Sequence, residues 1–161
     1  MVDADAGWPA AYAAEEARLL AAAEGLLVAL EHVGSTAVPG LAAKPTIDLL
    51  GAVAGASVIA DLAARLAPLD YEHRPRAMQD VDAAYLRRIV DGRRTHHLHV
   101  VLAADFAGDA RRRFRDILRA RPDLAAGYTA LKRELADRLG HDRVAYTDAK
   151  TDFVLRVLRE A

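Results

Sequence analysis

The stretch Glu31-His32-Val33-Gly34-Ser35-Thr36-Ala37-Val38-Pro39-Gly40-Leu41-Ala42-Ala43-Lys44-Pro45-Thr46-Ile47-Asp48-Leu49-Leu50-Gly51 decides the reading of the fold. Leu26 to Val33 reads as a first strand, apolar with a polar end. Gly34 permits a backbone conformation that a side chain would block, and it lets another group approach closely. Ser35 and Thr36 suit the start of a short helical turn, whose outward N–H groups suit an anion. Lys44 precedes Pro45, so its backbone is biased to be extended. Thr46 to Val53 reads as a buried strand on which Asp48 is the only charge. Side chains alternate along a strand, so Ile47 and Leu49 face one way while Thr46, Asp48 and Leu50 face the other.

Upstream, Trp8 to Ala23 reads as a helix with Pro9 in its first turn and an apolar stripe through Tyr12, Ala13, Glu16, Leu19, Leu20 and Ala23. Gly25 ends it, and Trp8 anchors its start. Downstream, Ser57 is placed to cap a helix over Val58 to Leu66, and Leu69 to His73 is a short extended piece. Residues 74–82 show no period and read as a surface loop, the segment best suited to vary with substrate. Ala84 to Val90 and Thr95 to Leu102 flank Asp91-Gly92, a strong hairpin signal. Alternation puts His97, His99 and Val101 on one face of the second strand and His96, Leu98, Val100 and Leu102 on the other.

The rest of the chain reads as three helices. Ala107 to Ala120 turns Phe114, Ile117 and Leu118 inward, with Arg115 beside that stripe. Asp123 to Leu139 carries Lys132 just after the core residue Leu131, and Gly140 ends it. Asp148 to Glu160 has Lys150 in its first turn, where the helix dipole disfavours a cation and an anionic partner is expected. A mixed sheet with helices to one side is the natural architecture, an α+β fold in one domain spanning 1–161.

Composition narrows the function classes. A chain of 161 residues with net charge −1 has room for a substantial core and no global basic field, so no nucleic-acid partner is expected. It has no cysteine, hence no disulfide framework and no thiolate metal site. No apolar run is long enough for a membrane span, and the acidic, alanine-rich start does not look like a signal peptide, so a cytoplasmic location is expected. Of 22 basic residues only Lys44, Lys132 and Lys150 are lysines. Where arginine is the default cation, a retained lysine suits a compact point charge.

Gly34-Ser35, twelve residues, then Asp48 inside an apolar strand resembles the signature of the nucleotidyltransferase (polymerase-beta-like) fold. The longer string from His32 to Asp48 resembles the GrpB family of bacterial proteins. The resemblance continues through Arg93 to Val100, Phe114 to Arg119, Tyr128 to Lys132 and Tyr146 to Lys150, and it covers nearly the whole chain. It implies a nucleotidyltransferase-like mixed sheet flanked by helices, with a C-terminal helical part. It also implies a Gly-Ser turn that holds phosphates and a divalent metal, magnesium, manganese or zinc, held at Asp48. One departure stands out. Leu50 occupies the position of the second carboxylate that a two-metal site uses.

The expected site therefore gathers Gly34, Ser35, Thr36, Lys44, Arg115, Lys132 and Lys150 as phosphate or ligand contacts. Asp48, His97 and His99 are the candidate catalytic and metal-binding residues. Imidazoles favour zinc or another borderline metal, serve as general bases near neutrality, or are held as structural groups. Three functions are compatible with this set. One is metal-assisted transfer of a nucleotidyl group from a nucleoside triphosphate to a small acceptor. Another is a non-catalytic module for an anionic metabolite or a folding partner, which the fusion of GrpB-like domains to dephospho-CoA kinase would suit. The third is metal-free Asp/His acid–base chemistry in the same cleft. The expected partner is in each case a small phosphate-bearing or otherwise anionic molecule, or a folding partner.

Overall fold

The computed structural model describes residues 1–74, 82–139 and 143–160. The elements run α1 (Trp8–Ala23), β1 (Ala29–Val33), β2 (Ile47–Val53), α2 (Ile59–Leu66), β3 (Tyr71–Arg74), β4 (Ala84–Val90), β5 (Arg93–Leu102), α3 (Ala103–Phe106), α4 (Ala110–Ala120), α5 (Pro122–Leu139) and α6 (Arg143–Glu160). The five strands form one mixed sheet in the order β1-β2-β5-β4-β3. Only β2 and β5 pair in parallel; every other pairing is antiparallel. The parallel pair sits in the middle, so its register sets Asp48 opposite His97 and Leu50 opposite His99.

Helices cover both faces of the sheet rather than one. On the first face Leu49, Val53, Leu86, Leu98 and Val100 pack under α1 and α2 through Leu19, Leu62 and Leu66. On the second face Val33, Leu50 and Val101 pack against Phe106 of α3. The C-terminal helices add a separate core of Leu118, Tyr128, Phe114, Phe153 and Val154, joined to Val38 and Leu41 of the loop between β1 and β2. The sheet is buried on both sides at its centre, which is why β2 is apolar at nearly every position.

Several local expectations change. The first strand begins at Ala29 rather than Leu26. The buried stripe of α1 runs through Trp8, Glu15, Leu19 and Ala23, so it takes in Glu15 rather than Glu16. Ser57 makes no capping hydrogen bond to α2, whose N-cap is Val58. The expected helix from Ala107 is broken at Gly108, and α4 starts instead after Asp109, whose carboxylate accepts from the Arg111 backbone N–H. The last helix begins at Arg143, so Lys150 lies well inside it and the helix-dipole argument for its partner does not apply. The Asp91-Gly92 hairpin forms as read, with positive φ of 50° and 73° at its two residues, as a type I′ turn requires. Most of the segment proposed as substrate-specific, 75–81, and Gly140 lie outside the described residues.

Candidate functional site

A cavity of about 230 Å³ lies between the second sheet face and helices α4 and α6. The β1–β2 turn supplies Gly34 and Ser35, β2 supplies Asp48, and α6 supplies Lys150. Phe114, Leu118 and Tyr128 form an apolar wall opposite. A larger cavity of about 1020 Å³ lies by the start of α1, lined by Trp8, Tyr12, His32 and Arg119 among others, and it contains neither Asp48 nor a lysine. The smaller cavity therefore gathers five of the residues expected from the sequence, Gly34, Ser35, Asp48, Arg115 and Lys150.

Gly34 has φ +73°, and a Cβ built on it would lie 2.4 Å from Asp48 Oδ2. The turn is glycine because the carboxylate of the next strand presses against it. Asp48 is held from the other side by His97, whose Nδ1–H donates to Oδ1 at 3.0 Å. That hydrogen bond fixes the tautomer and leaves Nε2 as an acceptor. Nε2 is buried and has no hydrogen-bond partner among the described residues.

His99 is taken by a different carboxylate. Its Nδ1 lies 2.8 Å from Asp82 Oδ2, and Arg111 of α4 binds the other oxygen of Asp82 at 2.5 Å while also clasping Asp109. Burial pushes the Asp82 carboxyl up, but the hydrogen bonds from His99 and Arg111 outweigh it and hold the pKa down to about 2. The Tyr85 ring leans on both imidazoles, with centroids 5.7 Å from His97 and 5.1 Å from His99. The face thus carries two carboxylate–imidazole pairs side by side. Asp82 was not singled out as a site residue from the sequence, because it ends the stretch 74–82, which shows no period.

The lysines divide. Lys132 is 4% exposed, and its Nζ donates to Ser35 Oγ at 3.0 Å and to the Ala42 carbonyl at 2.5 Å, above the Tyr128 ring. Burial, reinforced by the charge of Lys150, pushes its pKa down from 10.5 to about 8. Burial likewise lowers Lys150, with Asp48 opposing and Lys44 adding to the shift. Lys44 itself is exposed and does not line the cavity.

Two expected ligand contacts are committed elsewhere. Thr36 is buried, and its hydroxyl meets His32 Nε2 at 2.9 Å, turned away from the cavity. Arg115 lines the cavity, but its guanidinium donates to Glu31 and the His32 carbonyl at 2.8 and 2.7 Å and to Asp116 at 2.8 Å. It clasps α4 to β1.

The donor set does not fit the metal that the resemblance implies. Among the described residues no three His, Asp or Glu side chains converge as ligands. Asp48 and His97 face each other across a hydrogen bond, and His99 is turned to Asp82. Leu50, in the place of a second carboxylate, is fully buried beside Val33 and Val101.

Lys132 makes stability depend on pH. Unfolded, it titrates near 10.5; folded, near 8. Between those values the unfolded chain binds more protons, so stability rises with pH across the window, whereas below it both states are charged and the cost of burying the ammonium is fully present. Thermal melts should show this rise from about pH 8 to 10 in the wild type relative to Lys132→Met. Parallel curves would show that the buried amine does not titrate in that window.

Comparison with known proteins agrees with this architecture. The GrpB protein family model matches residues 1–160. The chain belongs to the GrpB family. A UPF0157 protein of Pseudomonas aeruginosa is 38% identical over 164 residues, covering 100% of this chain and 66% of that protein. A UPF0157 protein of Streptomyces coelicolor is 37% identical, covering 99% of this chain and 82% of that one. The chain thus spans just under two thirds of the Pseudomonas relative and about four fifths of the Streptomyces one. The crystal structure of conserved protein GrpB from Enterococcus faecalis superposes with a TM-score of 0.85 at 28% identity, over 99% of this chain and 97% of that one. This member of the family is a five-stranded mixed sheet flanked by helices, with the Gly34-Ser35 turn close against Asp48. Among the described residues no helix is long and apolar enough to cross a membrane.

Proposed function

We propose that the cavity binds a small anionic metabolite, phosphate- or carboxylate-bearing, and that Asp48 moves a proton on it. One observation carries the reading: Ser35, Asp48 and Lys150 meet on a single cavity with an apolar wall of Phe114, Leu118 and Tyr128. Lys150 lines the cavity beside Ser35, and the buried Lys132 stands 3.0 Å behind the Ser35 hydroxyl, so basic nitrogens flank the place an anion would take. Asp48 is the acid–base group because it lines the cavity, while His97 holds its orientation through the Nδ1–H. Arg111 positions α4 through Asp82 and Asp109 rather than contacting the ligand as a free cation.

Metal-assisted nucleotidyl transfer is the second reading. It is favoured by the contact of the Gly34-Ser35 turn with Asp48 and disfavoured by Leu50 and by the diversion of His99 to Asp82.

Calorimetric titration separates them. Nucleoside triphosphates, inorganic phosphate and short carboxylates are titrated into wild type, Asp48→Asn and Lys150→Ala, in chelator and then with magnesium, manganese or zinc. Binding in chelator, weakened about tenfold or more by Lys150→Ala, is the expected result. Nucleotide binding that needs metal and is lost with Asp48→Asn would move the assignment to nucleotidyl transfer. Absence of binding under every condition would overturn both.

A further inference from the structure

We infer that Ser35 is a nucleophile with Lys132 as its general base, and that the cavity takes a carboxylic ester or thioester whose acyl group rests on the Phe114–Tyr128 wall. The inference rests on the same cavity being the ligand site and adds a covalent step to it.

The geometry is specific. Lys132 reaches from α5 across the loop between β1 and β2 and ends 3.0 Å from Ser35 Oγ. The Ala42 carbonyl accepts one N–H of the same nitrogen. A neutral amine so placed donates to Ala42 and turns its lone pair to the serine hydroxyl. The side chain is 4% exposed, whereas Ser35 opens onto the cavity. Ser35 also sits where β1 ends in the positive-φ Gly34 and a short helical turn, Ser35–Ala37, begins. Burial and Lys150 together lower the amine into a range where a neutral fraction exists near pH 8. A serine hydroxyl is a poor nucleophile until an adjacent base takes its proton, and a desolvated lysine is one such base.

The step balances. Ser35 Oγ bonds to the acyl carbon as its proton passes to Lys132 Nζ, and the carbonyl electron pair moves to oxygen beside the positive charge of Lys150. Collapse of that oxyanion breaks the bond to the alkoxide or thiolate, which leaves with the proton from Lys132. Water then attacks the acyl-serine, giving a proton to Lys132. The released Ser35 oxygen recovers that proton, and the carboxylate product departs.

A fluorophosphonate probe and p-nitrophenyl butyrate test this on the intact chain. The expected result is a one-to-one adduct mapped to Ser35, with a labelling rate that rises through a midpoint near pH 8 and levels off above it. Ser35→Ala should abolish it, and Ser57→Ala, the only other serine, should leave it unchanged. Lys132→Arg keeps the charge and the hydrogen-bonding reach but cannot act as the base, so it should slow labelling about a hundredfold or more. Full-rate labelling in Lys132→Arg would overturn the base role and leave Lys132 as a staple for the loop. No adduct in a wild-type chain that still binds anions by calorimetry would overturn the nucleophile while leaving the proposed binding function in place. Labelling without anion binding would remove that function and keep the serine.

Discussion

Gly34→Ala is expected to lose ligand binding at the cavity and to destabilise the fold by about 2–5 kcal/mol, from the positive φ and the overpacking together. The two penalties have separate origins. At φ +73° an L side chain is strained wherever it points. Here it also points into Asp48, with Oδ2 at 2.4 Å, the Asp48 Cβ at 3.0 Å and Cγ at 3.1 Å from the added methyl. Asp48 cannot step back without leaving His97 Nδ1, and it emerges from a central strand paired on both sides. Urea unfolding measures the first effect and calorimetry the second. A variant within 1 kcal/mol of wild type that still binds would mean that the carboxylate has room to move and that the contact does not define the site.

Glu15→Ala is expected to cost about 3–5 kcal/mol, because it leaves the buried Tyr71 hydroxyl without its acceptor and the half-buried Arg88 without its counter-charge. Glu15 sits in the middle of α1 on its inward face, 3% exposed. Its carboxylate receives Arg18 at 2.7 Å, Arg88 of β4 at 3.2 Å and the Tyr71 hydroxyl of β3 at 3.0 Å. One helix is thereby tied to the far half of the sheet. A fall in melting temperature of roughly 6–20 °C corresponds to that cost. Glu15→Gln, whose single amide oxygen can still accept from Tyr71 or from the arginines but not from both, should fall less. A Glu15→Gln variant as stable as wild type would show that packing and neutral hydrogen bonds, rather than charge, are what Glu15 provides.

What was legible in the chain and what was not follow from one division. Patterns with a short period were readable. Alternation put Asp48 and His97 on one face, and the Asp-Gly pair set the hairpin whose strand β5 then aligned them. Gly34 announced a close approach, though not that Asp48 was the group approaching. Contacts made by long side chains across many residues were not readable. Lys132 reaches back to Ser35, and Arg115 reaches Glu31, because tertiary packing sets those distances. Glu15 was readable in principle. Trp8, Glu15, Leu19 and Ala23 follow helical spacing, but a carboxylate in that series looks like the edge of a solvated face until its partners on β3 and β4 are known. The dipole argument for Lys150 failed for a local reason, although the residue does line the cavity: the helix starts at Arg143, which moves the lysine out of the turn where the dipole acts.

The parallel pairing of β2 with β5 has a consequence for how the proposed site is divided along the chain. All five strands lie within the first 102 residues, and so do Gly34, Asp48 and His97, which meet there. The cations lie later in the chain, Lys132 on α5 and Lys150 on α6. The carboxylate of the proposed site therefore belongs to a platform, the sheet, and its proposed cations belong to a cap, the C-terminal helices. A bound anion would act as the fastener between platform and cap. In hydrogen-exchange measurements its protection should appear over α5 and α6 while the central strands stay as they were.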